Sequence, residues 1–113
     1  MNAQALLVAT GAGLAAQLAM VIAGHYVAFI RDNVFAIGGM LISLAAGVLF
    51  AKLAGAGWVP SLTGGLIAGG LCALLGIAVS VGLKDTAVTI LVFGTLGSAV
   101  AGLAGGAVGK LVA

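Results

Sequence analysis

Few side chains in this chain could do chemistry, and their spacing limits what that chemistry is. His25 is the only histidine, and histidine is the side chain whose charge changes nearest neutral pH. It precedes Arg31 by about 9 Å of helix rise. On a straight helix Asp32, seven positions on, returns close to the same face, with Tyr26 alongside. That grouping would suit a pH-sensing or permeation role. Its plainer use is as an interfacial histidine satisfied by Asp32, a carbonyl or water. Gln17 is the next most polar group inside an apolar stretch, on one helical face with Gly13 and Gly24. An interhelical hydrogen bond of about 0.6 kcal/mol is its plainer use, and lining a pore is the sharper one. Ser43 and Ser98 read as small packing residues.

The parts needed for other chemistries are missing from the sequence. There is no Glu, and the two Asp residues, Asp32 and Asp85, fall between apolar stretches. No Ser/His/acid constellation and no phosphate loop leading into a helix is present, so no catalytic residue and no enzymatic role is expected. One His and one Cys on separate apolar stretches make no metal-ligand set, and no cofactor is implied. Cys72 stands alone, which excludes a disulfide framework and reads as a small packing residue.

The elements that must position these residues follow from composition. Of the 113 residues, 64% are hydrophobic and 5% charged, with a mean hydropathy of +1.40. A soluble domain carries roughly a quarter charged residues. The charges Arg31–Asp32, Lys52, Lys84–Asp85 and Lys110 separate four apolar tracts, Leu6–Ile30, Val34–Ala51, Pro60–Leu83 and Ala87–Gly109. Each is near the roughly 20 residues that cross the hydrocarbon of a bilayer as a helix. Backbone groups in lipid must be satisfied internally, and the tracts are too long and too unalternating for barrel strands. The expected fold is an all-α membrane protein of four transmembrane helices, arranged as two tandem helical hairpins in a single domain, with membrane lipids as its surroundings. The net charge of +2 is spread over separate boundaries, which excludes a nucleic-acid patch. Met1–Asn2–Ala3–Gln4 lacks Lys and Arg, so the first tract reads as a span and not as a cleaved leader.

The connections also have physical causes. Arg31–Asp32–Asn33 and Lys84–Asp85–Thr86 read as tight polar turns in which Asp32 and Asp85 can cap the following helix. Pro60 suits a first helical turn. Trp58 suits one membrane interface, and Tyr26 and Phe29 the other. The turns recur at a spacing of 53, together with Thr10–Gly11 against Thr63–Gly64 and Leu18 against Leu71. Beyond them Gly39-x-Leu41-x-Ser43-x-x-Ala46-Gly47 matches Gly94-x-Leu96-x-Ser98-x-x-Ala101-Gly102. The expectation is a duplicated hairpin, about 5–54 and about 58–111, whose copies enter from the same side.

Small residues four apart let helix backbones approach in lipid, where no hydrophobic force draws helices together. Such stripes run through Gly94, Ser98, Gly102 and Gly106, through Ala101, Gly105 and Gly109, and through Gly64, Ala68, Cys72 and Gly76. Others run through Gly65 and Gly69, through Gly39, Ser43 and Gly47, and through Gly11, Ala15 and Ala19. A four-helix bundle can bury one stripe per helix, so the surplus predicts a homo-oligomer or a larger membrane complex.

Gly47, Ala51–Lys52, Gly57–Trp58, Gly65, Gly69, Gly94, Ala101–Gly102, Gly105–Gly106 and Gly109 are spaced as in small glycine-rich four-span bacterial membrane proteins of unassigned function. The chain resembles that group over residues 39–111. The resemblance implies a four-helix fold, a bacterial inner membrane and no known activity. Small multidrug exporters and rotary ATPase proteolipids both need an acidic residue within a span, and fluoride channels a mid-helix asparagine. This chain has neither. Lys/Arg residues tie at two on each side, Lys52 and Lys110 with the termini and Arg31 and Lys84 opposite. The terminal amine leans both termini toward the cytoplasm, and the tie leaves dual topology open. The leading functional expectation is a structural or accessory subunit acting through glycine packing. The alternative is a small oligomeric channel or transporter.

Overall fold

A computed structural model describes residues 3–33, 35–55, 57–84 and 87–112, and the side chains of these residues except 31–33 and 35–36. Their regular elements are all helices: α1 Ala3–Tyr26, α2 Ala28–Asn33, α3 Phe35–Ala54, α4 Trp58–Gly82 and α5 Val88–Val112. Four of them are long and apolar enough to cross a membrane: Ala3–Tyr26, Ile37–Ala54, Trp58–Gly82 and Val88–Val112. The four pack against one another as an elongated bundle 40 × 21 × 20 Å. This is the all-α four-span membrane fold expected from the tracts, with ends displaced by a few residues.

The first boundary differs most. α1 stops at Tyr26, and Arg31, Asp32 and Asn33 belong to the short helix α2 and not to a tight turn. Val27 still donates to the Ala23 carbonyl at 2.8 Å, but Ile30 donates back to Val27 at 3.1 Å. The chain tightens for one residue and resumes as helix. The straight helix that would have brought Asp32 over His25 is therefore broken between them. The side chains of Arg31 and Asp32, and all of Asp85 and Thr86, lie outside the described residues, and with them the two proposed aspartate caps.

The other ends show their causes. Gly57 is extended before α4, Pro60 falls in the first turn, and Ser61 N–H reaches the Gly57 carbonyl at 3.1 Å. α3 ends with Gly55 at φ +58, its N–H on the Ala51 carbonyl at 3.2 Å. α4 ends with Lys84 at φ 64, its N–H on the Val81 carbonyl at 2.9 Å. Both residues occupy the left-handed position that closes a helix C-terminus. Glycine takes it without a Cβ penalty. Lysine does not, although its charge suits the negative end of the helix dipole.

α3, α4 and α5 form the tight part of the bundle. α4 and α5 share the broadest contact, α3 lies against both, and α1 sits in the groove between α3 and α4. Among the described residues α1 makes no close backbone approach to α5. Where the three inner helices meet, glycines bring main chain onto main chain. A Cβ at Gly47 or Gly65 would strike the Gly102 carbonyl oxygen, and one at Gly102 would strike that of Gly65. Gly69 faces the Gly102 Cα at 2.7 Å from its ideal Cβ position, and Gly109 faces the Val48 carbonyl oxygen at 2.6 Å. Gly106 meets the Ser61 carbonyl and Gly105 that of Leu44. Phe50, on α3, is fully buried and lies where a side chain on Gly64 would stand. It packs in a cluster with Ala5, Ala9, Ala46, Ala68 and Cys72.

Not every glycine in a stripe is equivalent. At Gly94 an added Cβ would meet two side-chain methyls, the Ile77 Cδ1 tip at 2.8 Å and Ile90 Cγ2 at an ordinary 3.5 Å. Gly102→Ala is therefore expected to destabilise the bundle by about 1–3 kcal/mol through overpacking on rigid backbone. Gly94→Ala should cost far less, because the isoleucine tip can turn away. Unfolding of purified protein by titrated denaturing detergent distinguishes them, and equal losses would contradict the close approach at Gly102. In the same assay Lys84→Gly should gain about 1 kcal/mol and Gly55→Ala lose a similar amount, by relief or creation of left-handed strain.

Candidate functional site

Three polar side chains within the spans, Gln17, Ser43 and Cys72, converge on one place. Gln17, near the middle of α1, points into the groove between α3 and α4 and is 2% exposed. Its amide Nε2 donates to the Gly39 carbonyl oxygen at 3.1 Å and to Ser43 Oγ at 3.4 Å, both on α3. It also approaches Cys72 Sγ on α4 at 4.0 Å. Ser43 Oγ donates in turn to the Gly69 carbonyl oxygen at 3.1 Å, linking α3 to α4. The Cys72 thiol donates to that same carbonyl at 3.3 Å, one turn back on its own helix. Ser43 Oγ and Cys72 Sγ stand 3.9 Å apart.

Local sequence explains why these groups meet. α1 buries Ala5, Ala9, Gly13, Gln17, Val21 and Gly24, a stripe repeating about every fourth residue. Small residues on either side of Gln17 along that stripe let α1 sit low in the groove. An added Cβ on Gly13 would stand 3.0 Å from Cys72 Sγ and 3.1 Å from the Ala46 Cβ. Gly76 on α4 leaves room for the Gln17 side chain, since a Cβ there would stand 2.8 Å from the Gln17 Cβ. Gly39 on α3 leaves room for the amide head, with Gln17 Oε1 3.6 Å from the corresponding point. A primary amide, a hydroxyl, a thiol and two main-chain carbonyls thus form a compact hydrogen-bonded node in mid-bundle. It carries no formal charge, and its donors are directed at oxygen and sulfur acceptors of neighbouring helices. Such a node holds helices together.

The remaining expected residues are distributed differently. Ser98 is buried on α5, with its carbonyl 2.9 Å from the ideal Cβ position of Gly69. Gly39, Ser43, Gly47, Gly64, Ala68, Gly76, Gly102 and Gly106 are all buried between helices, and Gly94 is half-buried. Gly11, Ala15 and Ala19 are not. They lie on the outward face of α1, and nothing stands within 4 Å of a Cβ placed on Gly11. That stripe is the one its spacing singled out on the first tract. The helix instead turns its other small stripe inward, because that one carries the amide able to bond across to α3 and α4.

His25 and Tyr26 stay out of the node. They close α1 about 12 Å from Gln17 along the helix. Their rings meet edge to face at 5.1 Å and 79°. His25 is half-buried, and Tyr26 is exposed, as is Phe29 in α2. Trp58, also exposed, stands at the opposite end of the bundle. Lys84 is exposed at the end shared with His25. Among the described residues no group of His, Cys, Asp and Glu comes together that could hold a metal ion.

Sequence reasoning placed Gln17 and Ser43 separately and left Cys72 as filler. The face shared by Gly13 and Gln17 was visible from spacing. Its meeting with Ser43 was not, because pairing across helices depends on rotation and register. Phe50 gave no warning, since a buried phenylalanine and a lipid-facing one look alike in an apolar tract. Compared with protein-family models, with curated proteins and with solved structures, the chain matches none.

The seat of α1 is open to a direct test. A cysteine introduced as Gly13→Cys places its Cβ 3.2 Å from that of Cys72, a few tenths of an ångström inside the usual disulfide separation, and with that small outward shift of α1 it is expected to form a disulfide with Cys72 under mild oxidation. One introduced as Gly11→Cys, on the outward face, should not bond to Cys72. Peptide mapping of the oxidised protein reads both outcomes, and the reverse pattern would mean that α1 is rotated.

Proposed function

We propose that this four-helix membrane protein is a structural or accessory subunit, acting by helix-to-helix packing with itself or with a larger membrane complex. The observation that carries the reading is the outward face of α1. Between Leu7–Val8 and Ile22, its exposed positions Gly11, Ala12, Ala15, Ala16 and Ala19 are all glycine or alanine. The outward faces of the other spans carry large side chains such as Met40 and Leu41 on α3, Leu71 and Leu75 on α4, and Phe93, Leu96 and Val100 on α5. A flat strip of this kind permits close approach of another helix and loses little side-chain entropy when it is covered.

Two further features support a packing role over conduction by a single copy. Gln17, Ser43 and Cys72 are engaged with one another in mid-span, and the inner helices touch through main chain at Gly47, Gly65 and Gly102. A pathway for solute would have to form between copies, with His25 near one mouth. A bacterial inner membrane remains the expected setting.

In mild detergent, the protein is expected to run well above its chain mass of 10.8 kDa after correction for bound detergent, either as a homo-oligomer or with a co-purifying membrane partner. Ala15→Leu should return it to the single-chain mass with its helix content intact. A wild-type protein that is monomeric and partnerless in both detergent and lipid discs would overturn the proposal. Ion or solute flux in vesicles that is lost on His25→Ala would favour the channel reading instead.

A further inference from the structure

The small-residue face on the outside of α1 has a counterpart inside the fold. At the 53-residue spacing at which the charged turns recur, Gly11, Ala15 and Ala19 correspond to Gly64, Ala68 and Cys72 of α4. The α4 residues are buried, whereas those of α1 are exposed. The covered member of the pair therefore shows what such a surface receives in this protein.

Two groups cover it. The Phe50 ring of α3 stands where a side chain on Gly64 would be. Beyond that ring lies α1, which presents small residues of its own. Ala68 and Cys72 share a buried cluster with Ala5 and Ala9, and a Cβ on Gly13 would stand 3.2 Å from the Cys72 Cβ. Gly13 lies beside Cys72, and Gln17 beside Gly76. The residue numbers rise together, so the two helices run parallel. The α4 stripe is thus met by a second small-residue stripe on a parallel helix, the arrangement that brings backbones close in lipid.

The α1 face lacks such a cover within the chain. Nothing stands within 4 Å of a Cβ placed on Gly11, and Ala15 and Ala19 are exposed. A second copy supplies one surface of the matching kind. The outward faces of its α3, α4 and α5 carry large side chains such as Leu41, Leu75 and Phe93, which hold backbones apart. Its own α1 exposes only glycine and alanine from Gly11 to Ala19. α1 contains no Asp, Glu, Lys or Arg, so pairing two copies of it brings no such charges together in the membrane. Leu7, Val8 and Ile22 flank the stripe, and helices that cross at Ala15 diverge before they reach them.

We propose that this protein self-associates through α1, with Gly11, Ala15 and Ala19 of one copy against the same residues of a second copy in the same orientation. The same patch meets itself, so the contact closes at two chains. The inference rests on the packing role proposed above and narrows its partner to a second copy of this chain.

Disulfide trapping in lipid vesicles at high lipid excess tests it. The background is the full chain with Cys72→Ser, which keeps a hydroxyl beside the Gly69 carbonyl. Single cysteines are introduced as Gly11→Cys, Ala15→Cys and Ala19→Cys. For comparison, Leu41→Cys, Leu75→Cys and Val100→Cys mark exposed positions on the other three spans. Under mild oxidation the three α1 variants are expected to give a band at twice the chain mass of 10.8 kDa, and the other three are not. Adding Ala15→Leu to Gly11→Cys should abolish the band while circular dichroism shows the helix content intact. Light scattering of the unoxidised samples gives the mass independently. A larger mass without α1 links, whether the chains link through α3, α4 or α5 or a different protein co-purifies, overturns this proposal and leaves the packing role standing. Gly11→Cys chains that link to Ala19→Cys chains in preference to their own kind would mean antiparallel pairing and overturn the same-orientation contact. A single-chain mass with no partner overturns both readings.

Discussion

At Gly102 the main chains of three helices converge. Its carbonyl oxygen lies where side chains on Gly47 and Gly65 would stand, and its Cα lies against Gly69. In water, large apolar side chains could hold such helices together by leaving solvent. In lipid that gain is absent, and close approach of backbone is a principal source of attraction left. The arrangement of α3, α4 and α5 depends on this constraint. It determines which face each helix buries, and so which residues look outward to lipid.

The same constraint explains why α1 is attached differently. The groove between α3 and α4 is lined at its middle by Ser43, Cys72 and the carbonyls of Gly39 and Gly69. An apolar helix laid over that site would leave the Ser43 and Cys72 bonds as they are and add nothing to them. Gln17 adds a donor that reaches α3 and approaches α4. The polar node thus couples the fourth helix to a trio that packs by shape. Its chemistry is uncharged and hydrogen-bonded, with donors on one helix meeting acceptors on another.

Several of these relations were open to reading from the chain. The charged positions marked the span ends to within a few residues, because charge is costly in hydrocarbon. Gly102, Gly106, Gly65 and Gly69 were visible as stripes, and Gln17 as a polar group sharing a face with Gly13. The outward turn of Gly11, Ala15 and Ala19 was not visible. α1 carries two small-residue stripes, and spacing alone gives no preference between them. Nor was the break after Tyr26. Val27 is one of several β-branched residues between Leu6 and Ile30, with Val8, Val21 and Ile22 inside the continuous helix, so nothing in its type marks the break. His25 and Asp32 therefore looked like partners on one helix, where the structure sets a break between them.

What the sequence by itself determined is the class of the protein: four apolar helices with charge held at their ends, rich in residues that allow close contact. The physical reason is local, since hydropathy, helix length and the cost of buried charge act span by span. What only the tertiary structure decided is rotation and register. These settled that Gln17 faces Ser43 and Cys72, that Phe50 fills the space beside Gly64, and that one small-residue stripe of α1 faces inward and the other outward. Each of those outcomes depends on how two helices fit against each other, and that fit is a property of pairs of surfaces and not of any single span.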